Sequence, residues 1–159
     1  MKIGVELRLA GDAGELYADA RALEAAGADS FWATRGDAGE DPWSLLAAIA
    51  AVTWRARLVV VDAADRGAAA ATLQRLSRGR LVIAERSGEA FALPGGEGEA
   101  ERWLAVPFPS GRESWRELVR VHEAEGVKGV VLPNDPRLLD LVRNPDVTED
   151  RSDIKLAFG

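Results

Sequence analysis

An α/β domain, built as a reduced or incomplete TIM (β/α) barrel of mostly parallel strands, is what this 159-residue sequence predicts. Three observations predict it. Short β-branched runs alternate with helical segments along almost the whole chain, which is the pattern of a parallel sheet with helical crossovers. One run, ARLVVVD at 56–62, is apolar almost without a break, as suits a strand buried on both faces. The length also falls short of the roughly 200 residues that a complete eight-unit barrel needs. No linker or low-complexity tract divides residues 1–159, so they read as one domain.

The elements follow in order. KIGVEL (2–7) is a strand. Residues 14–28 form a helix, because Leu16, Ala20, Leu23 and Ala26 recur at helical spacing beside Tyr17, and Gly27 is its stop. DSFWAT (29–34) is the second strand. The helix at 41–54 starts on Asp41 as N-cap with Pro42 in its first turn. After the third strand at 56–62, GAAAATLQRLSRG (67–79) is a helix closed by Gly79, and RLVIAE (80–85) is the fourth strand. SGEAFALPGGEGEAE (87–101) shows little periodicity and reads as a loop. Alternation then resumes, with strands at 102–109, 127–133 and 153–159 and helices at 112–126 and 136–144.

The helix at 41–54, DPWSLLAAIAAVTW, has almost no polar face, so both of its sides should be covered. Leu45, Ile49 and Val52 carry the bulk suited to the sheet, while Ala47, Ala48 and Ala51 form a face that another helix can approach closely.

Composition excludes several functions. There is no cysteine and one histidine, His122, so disulfides, thiolate metal sites and a His-built zinc site are excluded. His122 falls on the apolar side of its helix and reads as a packing or boundary residue. The net charge is −6 and the arginines are scattered singly, which gives no nucleic-acid partner. No apolar run approaches a membrane span and no signal-peptide core is visible, so a cytoplasmic protein without membrane contact is expected. GGEGEAE lacks the lysine and the strand-turn-helix context of a phosphate loop.

Three segments, in matching order and spacing, resemble the bacterial luciferase-like monooxygenases, which are flavin- or deazaflavin-dependent barrel enzymes. They are ARALEAAGADSFWAT (20–34), DPWSLLAAIAAVTWRARLVV (41–60) and ATLQRLSRGRLVIAERSG (71–88). The resemblance covers residues 1–88, and the chain reads as a shortened member. It implies an oxidoreductase or monooxygenase that holds FMN or F420 and acts on a small molecule. It also implies a homodimer formed through helices 41–54 and 67–78.

Working residues of such a barrel lie at the C-terminal strand ends. The expected cofactor-binding set is Glu6, Trp32, Thr34, Arg35, Asp62, Glu85, Arg86 and Ser87, with Asn134 and Asp135 at the last strand. Arginine there could fork onto a phosphate, or Arg35, Asp62, Glu85 and Arg86 could pair across the mouth. With neither histidine nor cysteine near, no nucleophile and base pair is nominated. The sequence departs from the family where a polar pair ends the second strand and glycines end the fourth. WATRGD and ERSG stand there instead, and the family's middle block is missing. A non-catalytic dimeric relative, keeping the scaffold with a flavin-like ligand or none, is therefore the alternative expectation.

Overall fold

The computed structural model describes residues 1–9, 11–34, 41–61 and 67–144. Its first half follows the alternation. β1 (Lys2–Glu6), β2 (Ser30–Ala33), β3 (Arg57–Val61) and β4 (Leu81–Ser87) pair side by side in parallel. Between them run α1 (Ala13–Ala26), α2 (Pro42–Val52) and α3 (Gly67–Leu76). Local chemistry sets these helix ends. The Asp12 carboxylate accepts from the Gly14 N–H at the start of α1, and Gly27 ends it at φ +114°, a left-handed conformation natural to glycine. Asp41 caps α2 through the Ser44 N–H at 3.0 Å, with Pro42 in the first turn.

The second half overturns the expected reduced or incomplete TIM barrel. Residues 87–101 are not a loop. They supply β5 (Ala90–Pro94), a single 3-10 turn (Gly96–Gly98) and the start of β6 (Ala100–Ala105). β4–β5 and β5–β6 pair antiparallel, and no helix lies between them. α4 (Arg112–Ala124) then leads to β7 (Gly129–Pro133), which is parallel to both β6 and β1 and closes the ring, and α5 (Leu138–Arg143) follows. The product is a closed, mixed barrel of seven strands among the described residues, neither incomplete nor regularly alternating. The physical reason is economy of chain. A parallel crossover needs a dozen residues or more, whereas the two-residue loop at Gly88, with φ +63°, turns β4 straight back into β5. The expected last strand at 153–159 lies outside the described residues.

Strand side chains alternate between two cores. Val5, Phe31, Leu58, Val60, Val130 and Leu132 point outward beneath the helices. Trp32, Val59, Ala84, Phe91, Leu93, Trp103 and Val131 point into the lumen. Both faces of β3 are thus covered, as its valine run predicts. α2 differs in detail from its expected orientation. Trp43, Leu46, Ile49 and Ala50 are its buried face, whereas Leu45 and Val52 are only half-buried and Ala51 is exposed. Trp43 belongs to that face, and Leu45 still packs against the edge of the same core.

Candidate functional site

The C-terminal strand ends bring Glu6 and Thr34 together. The Thr34 hydroxyl donates to Glu6 Oε1 at 2.9 Å, and an Arg8 Nη2 lies 3.5 Å from the same oxygen. Beside them is a groove of about 270 Å³, lined by Glu6, Arg8, Asp12, Glu15, Asp19 and Asn134 among others. A second hollow of about 220 Å³ shares Asp19 and Asn134 and continues past Asp135 toward Leu139. Asp135 is tied into its own turn by Arg137. That guanidinium and the Arg137 backbone N–H hold its carboxyl at about 2.

The remaining expected residues part company. Trp32 is 1% exposed and does not face a ligand space. Its ring lies 5.1 Å from Phe91 and 5.5 Å from Trp103, and its Nε1 donates to Ser30 Oγ at 2.9 Å. Arg86 faces inward and its guanidinium sits 5.0 Å over the Phe91 ring. Glu85, the neighbouring residue on the same strand, faces outward, so the two are not partners across the mouth. Ser87 is exposed at the hairpin tip. Arg35 and Asp62 lie outside the described residues. Among the other aromatic residues, Trp43 and Trp115 are core, and Trp54 is 63% exposed with the Arg78 guanidinium 3.9 Å above it. His122 is half-buried and its Nδ1 lies 3.2 Å from Glu125 Oε2, a boundary position as expected.

The lumen is filled because two glycines make room. A Cβ on Gly4 would collide with the Trp32 indole, and one on Gly129 would come within 2.5 Å of the Trp103 ring. Below the aromatic layer sits an ionic layer that sequence reading missed. Lys2 Nζ meets Glu101 Oε1 at 2.7 Å, Arg57 Nη2 meets Asp29 Oδ2 at 2.7 Å and Glu101 Oε2 at 3.1 Å, and Trp103 Nε1 donates to Glu101 at 3.0 Å. Burial pushes the Glu101 carboxyl up, but the Lys2 and Trp103 hydrogen bonds and the Arg57 charge outweigh it and hold it at about 2. The folded value lies below the ordinary one, so this stabilisation is complete above about pH 4.5 and lost as pH falls toward 2. Glu101→Gln should therefore flatten the acid limb of a pH–stability curve. The wild-type curve should fall by up to about 3 kcal/mol more than the variant's across that interval. Parallel curves would remove Glu101 from the account.

Several residues of the segments that resemble the luciferase-like enzymes lie at this N-terminal end of the barrel. Thr53 Oγ1 donates to the Ile49 carbonyl at 2.7 Å. Arg80 donates to the carbonyl oxygens of Ser77 at 2.8 Å, Ala56 at 2.7 Å and Thr53 at 2.9 Å. Glu24, 7% exposed, accepts from the backbone N–H groups of Trp54, Arg55 and Ala56 at 2.7–2.9 Å. These residues clamp the α2–β3 and α3–β4 turns and reach no groove. Sequence gave no signal for Glu24, because a glutamate near a helix end ordinarily reads as solvated.

No protein-family model matches the chain, and no curated protein matches it either. Among the described residues no cluster of acidic and histidine side chains is suited to a metal ion. No described helix is long and apolar enough to cross a membrane.

Proposed function

We propose that this chain is a self-associating scaffold protein, akin to the luciferase-like flavoenzymes over residues 1–88, whose barrel does not turn over a flavin. The observation that carries this reading is the packed lumen, in which the tilted rings of Phe91 and Trp103 pack against Trp32. A flavin ring needs a flat slot at the strand ends and a cation for its phosphate. The described residues do not fit it. The lumen offers no slot, Arg8 lies against Glu6, and Arg86 is stacked on Phe91. In this reading neither FMN nor F420 has a role in the barrel.

A small ligand, if one binds, would sit in the groove at Glu6, whose volume is at the lower end of small-molecule sites. Self-association is read from α2. Leu45, Ala48, Ala51 and Val52 remain half-buried or exposed along its outer side, and Ala68 and Ala71 of α3 are exposed. A homodimer through these two helices would cover them.

The test is a titration with FMN, FAD and F420, following flavin fluorescence and visible absorbance. The expected result is no saturable change at high micromolar ligand. Saturable binding together with nicotinamide oxidation would restore the oxidoreductase reading and overturn this one.

A further inference from the structure

Closing the barrel with a hairpin leaves one sector of its outer wall without a helix of its own. No α-helix follows β4 or β5, and Ile83 on the outside of β4 is 43% exposed. Residues paired across neighbouring strands share a face. The register sets Glu85 beside Ala92 and Ala92 beside Arg102, which makes one row across β4, β5 and β6. Its members stand about 4.8 Å apart, one strand spacing each.

The row reads negative, neutral, positive. Both ends are exposed. Glu85 forms no ion pair with a described residue, and Arg102 reaches only the Glu125 carbonyl, at 3.5 Å. Its centre is small, with Ala90, Ala92 and Pro94 along β5. Such a row is complementary to itself. A two-fold axis running along β5 past Ala92 lays it on its own copy with the ends exchanged. Glu85 then faces Arg102 of the partner subunit, and the pairing occurs twice by symmetry. An axis perpendicular to the strands would oppose like charges, so the charge order also selects the orientation. The alanines carry no long side chains, which allows two sheet walls to approach closely.

We propose that the outer face of β4–β5–β6 is an isologous interface with a second copy of this chain. It uses none of the α2 or α3 residues, so it stands apart from the helix-mediated contact proposed above.

Charge exchange tests it. The mass of the protein is measured by light scattering at high micromolar concentration in an Ala51→Glu background, which places a charge on the exposed side of α2 and removes any contact through that helix. The expected result is a dimer for Ala51→Glu alone. Adding either Glu85→Arg or Arg102→Glu should give monomer with an unchanged melting curve, and adding both should restore the dimer. The proposal is overturned if Ala51→Glu alone is monomeric, if either single reversal leaves the dimer intact, or if the double reversal fails to restore it. The α2 reading fails separately, when wild type is no larger than Ala51→Glu. With both faces in use the wild type is larger than the Ala51→Glu dimer.

Discussion

Trp103→Ala should destabilise the protein by about 3–5 kcal/mol, the range for deleting a large aromatic side chain from a packed core. Trp103 is fully buried, its ring packs against Trp32 at 5.5 Å, and Phe91 is its register partner on β5. Its loss opens a cavity in the aromatic layer above the ionic base, and it leaves Glu101 without one of its donors. Urea unfolding measures the effect. A loss below about 1 kcal/mol would mean that the lumen is not packed as described. A double-mutant cycle sharpens the result, because Gly129 exists to admit this ring. Gly129→Ala should be destabilising next to Trp103 and much less so in a Trp103→Phe background. Additive effects would show that the two positions do not share space.

Glu24→Ala should cost a similar amount, about 3–5 kcal/mol, because it leaves three backbone N–H groups without their acceptor and Arg80 without its nearby charge. Glu24→Gln keeps an acceptor oxygen in place and should cost less than half of that. The charge has its own signature. Burial pushes the Glu24 carboxyl up, but the N–H groups of Ala56, Arg55 and Trp54 and the Arg80 guanidinium together hold it below the ordinary value. Its contribution is therefore present above the ordinary carboxylate range and is lost as pH falls through the lowered folded value. The difference between wild type and Glu24→Gln should shrink on acidification. A difference that stays constant with pH would show that the charge does not matter at this position.

The two variants probe different halves of the molecule, and the halves differ in how far the sequence disclosed them. The βα units through β4 were legible to within a few residues, since Leu16, Ala20 and Leu23 repeat at helical spacing and Asp41, Pro42 and Gly27 carry local capping chemistry. β5 was not. Its signal is Phe91 and Leu93 alternating with alanines over five residues, enclosed by glycines, too short to outweigh a loop reading. At the mouth, the strand-end principle nominated Glu6 and Thr34 separately, and the hydrogen bond between them emerges only in the structure. The principle also put Trp32 near a ligand, where the structure sets that ring in the lumen. Position along a strand indicates height in a barrel but does not reveal what fills the space opposite. Glu24 was invisible for a related reason, since its three partners lie thirty residues further along the chain.

What the sequence by itself determined is therefore the order of the elements through β4: where those helices start and stop, that β3 is apolar on both faces, and that the chain carries no thiol. Those properties depend on side-chain periodicity and on caps within a few residues. Whether the ring of strands closes, that β5 runs antiparallel, that Gly4 and Gly129 shelter two tryptophans and so fill the lumen, and that Glu85 and Arg102 stand at opposite ends of one outward row were decided only by the tertiary structure. Each of these depends on which distant segment lies alongside, and pairing energy between strands is not written into either strand alone.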